Sequence, residues 1–298
     1  MFWENLREEE FKDAVKKAGG LCVITMGCVE KHGQHLPLGT DSFIVESVVD
    51  EAAKQEDVVV LHTGPWFGEV TGFHADTDPA SVNRSGNIAL KSSTIMTVLS
   101  ELCDEAGRNG FTKVLIVNAH GGNQSMLNLF VRDQVYTDKS YITMLTNTNV
   151  SLDKIQRPEE ILEEVAKRPE EFSFLTEKDI ETLKSWIPEG YQGGHGDITE
   201  TALVMVDHPE LVAEDKYEAE SGFGNGRARA FTSLGIRSGN FWYPSMPNCY
   251  SGRPPHGTTV TIGRAMKKLC VERMVKIFKT IKESDDLLAI AHMDRPQA

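Results

Sequence analysis

Cysteine is scarce in this chain and nowhere paired: five stand among 298 residues, at 22, 28, 103, 249 and 270, with no CxxC spacing. That excludes a zinc knuckle or a dithiol redox centre and predicts reduced thiols in a cytoplasmic protein. Long apolar runs are missing too. No stretch approaches the roughly 18 to 20 residues that cross a bilayer, and the opening MFWENLREEEF has acid where a signal peptide has base followed by a greasy segment. Positive charge is the third deficit, with 31 Lys and Arg against 44 Asp and Glu, a formal net charge of −13 and no basic run. A surface of that sign repels phosphate backbones and anionic lipid, so nucleic-acid and membrane partners are not expected and a small-molecule substrate is. Neither a Gly-x-Ser-x-Gly elbow nor a Walker Lys-Ser/Thr pair occurs, which removes a serine nucleophile and a nucleotide-phosphate cradle.

What is present is an average globular composition, 40% hydrophobic and 25% charged, enough apolar material for a continuous core. The length fits one domain, 1–298, with insertions. Short apolar runs ending in Gly, Asn or Pro alternate with segments of helical period, the pattern of a parallel sheet covered by helices on both faces. The expected strands are 21–26, 58–62, 114–118 and 141–145. Expected helices include 41–54, 92–107 and 262–279, with others entered near Gln124 and after Asp197. The acidic segment 151–190 breaks this rhythm with two Arg-Pro-Glu-Glu phrases and reads as a helical insertion or lid with proline-set N-termini. A second irregular region, 221–258, is rich in Gly, Pro, Ser and Asn, and loops of that length usually serve function or assembly.

Three phrases carry potential chemistry. The first, Gly27-Cys28-Val29-Glu30-Lys31-His32-Gly33-Gln34-His35-Leu36-Pro37-Leu38-Gly39-Thr40-Asp41, follows the first strand and packs Glu, two His and Asp into twelve residues. In extended backbone Glu30 and His32 leave the same face, and a carboxylate beside an imidazole suits Zn²⁺, Mn²⁺ or Fe²⁺. Asp41, opening the next helix, is placed to return over that spot. The second phrase, Asn118-Ala119-His120-Gly121-Gly122-Asn123, also follows a strand's carboxyl end, where open α/β sheets bind their ligands. The third is Gly193-Gly194-His195-Gly196-Asp197-Ile198-Thr199-Glu200-Thr201, a glycine-flanked loop entering a helix. A single histidine after a strand is more often a hydrogen-bonded structural residue than a ligand. Three segments that each deliver His with a carboxylate or glycine, where loops leave secondary structure, favour a metal site.

Together the phrases resemble the creatininase (creatinine amidohydrolase) family, whose pattern runs Gly-x-x-Glu-Gln-His-Gly-x-His-Leu-Pro-Leu-x-Thr-Asp, then Asn-Gly-His-Gly-Gly-Asn, then His-x-Gly-x-x-Glu-Thr. The resemblance spans roughly residues 3 to 279. It implies a three-layer αβα fold with a mostly parallel sheet, a homohexamer, and two divalent ions per chain, zinc first with manganese or iron as alternatives. Glu30, Asp41 and His120 correspond to the ligands of one ion, and His32 with the shared Asp41 to part of the second site. In creatininase the second site is closed by a Glu two residues after the histidine of the second phrase, where this chain has Gly122. Family members with Gly-Gly there take the acid from the third phrase, which assigns Glu200. His195 matches a non-ligand histidine that donates a proton to the leaving nitrogen or polarises the scissile carbonyl. The implied reaction is metal-assisted hydrolysis, a water acidified by two divalent ions attacking the carbonyl of a small cyclic amide or related polar ring compound.

Departures from the family pattern bear on substrate. Tyr191 and the stretch Thr146-Asn147-Thr148-Asn149 stand at the equivalents of two tryptophans in creatininase, and residues 75–86 replace a Phe-Pro-Gly-Thr phrase. Tyr191, His74 and Asn123 are the expected substrate contacts, in a pocket more polar than one shaped for creatinine. The family also contains a hydrolase that opens a diketo-inositol ring at a carbon–carbon bond, so that reaction stays an alternative. A metal-dependent sugar isomerase or lyase is another.

Overall fold

A computed structural model of the chain describes residues 1–70, 86–148, 157–187 and 194–292. Helix α1 (Glu8–Lys17) leads into strand β1 (Leu21–Met26), and helix α2 (Thr40–Gln55) connects β1 to β2 (Val59–His62). Helix α3 (Ser92–Arg108) precedes β3 (Lys113–Asn118), and α4 (Gln124–Asp133) precedes β4 (Ile142–Asn147). The four strands form one sheet in the order β2-β1-β3-β4, every neighbouring pair parallel.

Strands β1 and β3 are buried along their whole length, as the central strands of a sheet covered on both sides must be. Alternation along each strand then divides the core. Leu21, Val23, Leu115 and Val117 face one apolar cluster with Ile44, Val45, Val48 and Val49 of α2. Cys22, Ile24, Met26, Val114 and Ile116 face the other, with Ile95, Leu99 and Cys103 of α3 and Leu127 and Phe130 of α4. This is the α/β sandwich expected from the alternating pattern.

The position of α2 on one face and α3 on the other follows from topology. Chain order moves outward from β1 to β2, then reverses and crosses back to β3, and right-handed crossovers in opposite directions put their helices on opposite faces. The reversal opens a crevice at the carboxyl ends of β1 and β3, where Met26 and Asn118 pair in register. The first two histidine-bearing phrases emerge at those ends.

Beyond the sheet, α5 (Pro158–Lys167) and α6 (Glu177–Trp186) belong to the expected helical segment. Proline occupies the first turn of α5 as anticipated, but the second Arg-Pro-Glu-Glu phrase opens only a 3-10 turn at Pro169–Phe172. Ile161, Phe172, Leu183 and Trp186 lie in the same apolar cluster as α2, so these helices contribute to the core besides carrying charge. Helix α7 (Ile198–Asp207) follows the third phrase. The short helices α8 (Arg229–Thr232) and α9 (Trp242–Ser245) lie in the irregular region. The long α10 (Val260–Glu283) packs against α7 and α2, and α11 (Leu287–His292) closes the described chain. Helix α1 was not among the expected elements. None of the described helices is long and apolar enough to cross a membrane, and all five cysteines are buried with no disulfide among them.

Candidate metal centre

Two local features bring the first phrase back onto itself. The backbone N–H of Glu30 donates to the carbonyl of Leu38 at 2.9 Å, closing the loop between them. Gly27 lies so close to the start of α2 that a β-carbon there would stand 2.6 Å from the backbone nitrogen and Cα of Ser42. Only a bare backbone admits that approach. The approach buries Asp41, in the first turn of α2, beside Glu30, where the positive end of the helix dipole favours a carboxylate.

The two ligand-type histidines are held by the same device, with opposite nitrogens. His32 Nδ1–H donates to the carbonyl of Glu30 at 2.8 Å, leaving Nε2 to face Asp41 Oδ1 at 3.4 Å and Glu200 Oε2 at 3.7 Å. His120 Nε2–H donates to the carbonyl of Glu69 at 2.6 Å, leaving Nδ1 to face Asp41 Oδ2 at 2.8 Å and Glu30 Oε2 at 3.6 Å. Asp41 therefore turns one oxygen toward each imidazole. A backbone acceptor behind the ring is the usual way a metal-binding histidine is oriented and its tautomer fixed.

The ligand-type atoms fall into close groups: Glu30, Asp41 and His120 with Cys28, and His32, Asp41 and Glu200, all within 4.8 Å in each group. A third grouping joins His195 to Glu30 and His32, but His195 Nε2–H donates to the carbonyl of Lys31 at 2.7 Å. Its ring stacks on His32 with centroids 3.9 Å apart.

Does the donor set fit a pair of divalent ions? His32 Nε2 is buried and without a hydrogen-bond partner, an arrangement that costs about 1–3 kcal/mol unless a ligand satisfies it. Three carboxylates converge there, while Lys31, the adjacent base, turns its Nζ to Glu220 at 2.7 Å. Mixed imidazole and carboxylate donors suit Zn²⁺ or Mn²⁺. The residues fit.

Protons stand in where no cation neutralises the acids. Burial works against a charged His32, but Asp41, Glu200 and Glu30 outweigh it and raise its pKa to about 10. Burial likewise disfavours charge on His120, and Asp41 above all raises it to about 9. Asp41 goes the other way: burial alone would raise it, yet the two histidines hold it well below the usual carboxylate range. Burial pushes Glu200 up to about 8, with His32 opposing and Asp41 adding to the rise. His195 is lowered to about 3 by burial and by the charge on His32, so its imidazole stays neutral.

Asp197 frames the third phrase. Its Oδ1 accepts from the N–H groups of Thr199 at 3.0 Å and Glu200 at 3.2 Å, capping α7, and its Oδ2 accepts from Gly194 N–H at 2.7 Å. Glu200 Oε2 in turn accepts from Gly196 N–H at 2.6 Å. Glu30, Asp41, His120, His195 and Glu200 line a cavity of about 610 Å³ together with Arg237, Ser238, Gly239 and Trp242. The Trp242 ring meets His195 edge to face at 5.5 Å.

Of the expected site residues, Glu30, His32, Asp41, His120, His195 and Glu200 are brought together. His74 and Tyr191 lie outside the described residues. Asn123, expected at the substrate, is fully buried and braces the backbone instead. Its Oδ1 accepts from Glu69 N–H at 2.7 Å, and its Nδ2 donates to Gly27 O at 3.1 Å and Asn118 Oδ1 at 3.0 Å. These bonds tie the ends of β1 and β3 to the segment that holds His120. Asn147 accepts from Asn118 at 3.0 Å and lines a separate cavity along β4, away from the acids.

Sequence reasoning missed Cys28, whose thiol donates to Asp41 Oδ2 at 3.0 Å, and the carbonyl of Glu69, which carries no sequence signal. It missed Arg237 and left Trp242 unplaced, because both come from the irregular region, more than forty residues beyond His195.

The creatininase family model, described as creatinine amidohydrolase, matches residues 4–278. A creatinine amidohydrolase of Pseudomonas putida is 21% identical over 220 residues, covering 72% of this chain and 75% of that protein. A 3-dehydro-scyllo-inosose hydrolase of Thermotoga maritima is 22% identical over 121 residues, 41% of this chain but only 36% of that protein. A solved mutant creatininase shares the fold with a TM-score of 0.66 at 16% identity, over 95% of this chain and 99% of that one. Similar solved structures include a Zn-Zn type, a Mn form and a complex with creatine. By its match across nearly the whole chain, and by the three phrases that meet at the strand ends, this chain belongs to the creatininase family.

Proposed function

We propose that the chain is a hydrolase acting on a carbonyl carbon of a small cyclic amide or related polar ring compound, and that Asp41 would be shared between two divalent ions whose Lewis acidity would activate water. The observation that carries this reading is the split use of Asp41, one oxygen 3.4 Å from His32 Nε2 and the other 2.8 Å from His120 Nδ1. Glu30, Asp41 and His120 would hold one ion; His32, Asp41 and Glu200 would hold the other. Bound there, the ions would supply Lewis acidity and lower the pKa of water toward neutrality.

The protein's own groups do the rest. His195 has Nε2–H committed to the Lys31 carbonyl, so Nδ1 is its free nitrogen, and burial keeps the ring neutral. In this reading Nδ1 would accept a hydrogen bond from the attacking water and orient it toward the carbonyl carbon. Asp197 holds the His195 loop and the first turn of α7 in one register, and Trp242 bounds the space beside His195. Zinc is the proposed ion, with manganese as the alternative, and both occur among the similar solved creatininases. A cytoplasmic homohexamer, as in the family, completes the proposal.

A second reading is favoured by one observation. The Thermotoga maritima relative is a hydrolase of an inosose, so attack on a ring ketone followed by carbon–carbon cleavage fits the same residues. Turnover of creatinine, formylated amines, cyclic imides and ketoinositols in ¹⁸O-labelled water decides among these. Label in a new carboxylate marks hydrolysis, and the product names the bond. Turnover of a sugar without label would contradict the hydrolase reading and favour an isomerase.

A further inference from the structure

The cavity has an uneven distribution of charge that the proposed chemistry does not use. Glu30, Asp41 and Glu200 line it, and Arg237 is the one Lys or Arg among its described lining residues. An arginine lining the same cavity as three acids could pair with one of them. Arg237 does not: it makes no ion pair or hydrogen bond among the described residues, and it is exposed to solvent.

Nor is it on a loose strand. The turn before it is closed by Gly235 N–H to Thr232 O at 3.0 Å and Ile236 N–H to Phe231 O at 3.1 Å. The turn after it is closed by Phe241 N–H to Ser238 O at 3.1 Å. Phe231 and Phe241 stack with centroids 5.7 Å apart, joining the two ends of the loop. A guanidinium on a hydrogen-bonded loop that lines a cavity, free of partners among the described residues, is the fork that matches a carboxylate with two parallel bonds.

We infer that Arg237 is the substrate anchor, and that the substrate is a small carbonyl ring compound bearing a carboxylate. The inference rests on the two-ion reading, because three bare carboxylates repel an anion whereas two divalent ions turn that lining positive. The substrate's carbonyl then faces the ions and its carboxylate faces Arg237, with Trp242 and His195 beside the ring.

Hydroxamates, which grip divalent ions, make the test independent of turnover. Malonic, succinic and glutaric monohydroxamates would be compared with their neutral carboxamide counterparts by calorimetry on the Mn²⁺-loaded protein. At one chain length the carboxylate should bind about tenfold tighter or more, the scale of one charge-assisted pair. Arg237→Gln should bring the ratio to within about twofold while leaving the neutral member's affinity unchanged, and Arg237→Lys should restore part of it. Equal binding of acid and amide at every length, or a preference that survives Arg237→Gln, would overturn the anchor and leave the metal site standing. Binding of neither would remove the two-ion reading and the anchor with it.

Discussion

A β-carbon at position 122 would run into Nε2 of His120 and stand 3.0 Å from the carbonyl oxygen of Glu69, the two atoms whose hydrogen bond fixes the imidazole. The bare backbone of Gly122 is therefore part of how His120 presents Nδ1. A glutamate at 122 would displace the same ring, which supports the proposal that the second site takes its acid from Glu200. Gly122→Ala should cost about 1–3 kcal/mol, the usual penalty of overpacking, and lower metal content at the His120 site. Gly122→Glu should do no better. Two ions retained in Gly122→Glu, with unchanged melting temperature, would show that the ring is not confined there. Glu200 makes a sharper case. Glu200→Gln should empty one site and leave the other filled, by metal analysis. If both ions stay and only turnover falls, Glu200 moves a proton and something else closes the site.

At the scale of elements, the site exists because α2 starts against the end of β1. With Ser42 backbone atoms 2.6 Å from a β-carbon at residue 27, Gly27→Ala must push the first turn of α2 outward, and Asp41 with it. The expected result is a loss of about 1–3 kcal/mol and of more metal than the stability change alone explains, read by denaturant unfolding beside metal analysis. Normal metal content in a folded Gly27→Ala protein would show that the approach is not what places Asp41. Much of this layout was legible in sequence. Strands β1 and β3 announce themselves by the short apolar runs Leu21–Ile24 and Val114–Val117, and α2 by its stripe of Phe43, Ile44, Val48, Val49 and Ala52. The boundaries slipped where tertiary pairing decides them: β4 runs on through Thr146 and Asn147 because they pair with Val117 and Asn118. Helix α1 went unread although Phe11, Ala14, Val15 and Ala18 have helical spacing, because Glu8, Glu9 and Glu10 dominate its first turn. Asn123 was misplaced for a related reason: motif position shows that an asparagine is needed, not that its amide is spent on backbone. The wall of the cavity was not legible at all, since Arg237 and Trp242 carry no periodicity and meet the motif only through folding.

Across the whole molecule the arrangement is an acidic protein with a buried centre that trades protons for cations. In the metal-free protein at pH 7, His32 and His120, raised to about 10 and about 9, hold protons, as does Glu200 at about 8. Each proton must leave before its nitrogen or oxygen binds an ion. Metal affinity should thus climb as pH rises from 6 toward 8, and filling both sites near pH 7 should release up to about three protons, measurable by calorimetry in buffers of different ionisation enthalpy. Uptake with no proton release would mean the donors are already bare. The central claim, two ions bridged by Asp41, is met most directly by equilibrium dialysis of the purified protein against Mn²⁺, counting ions bound per chain at saturation. The account predicts close to two for the wild-type chain and a fall to less than one in Asp41→Ala; a wild-type plateau at one or none, or two ions retained without Asp41, would contradict it.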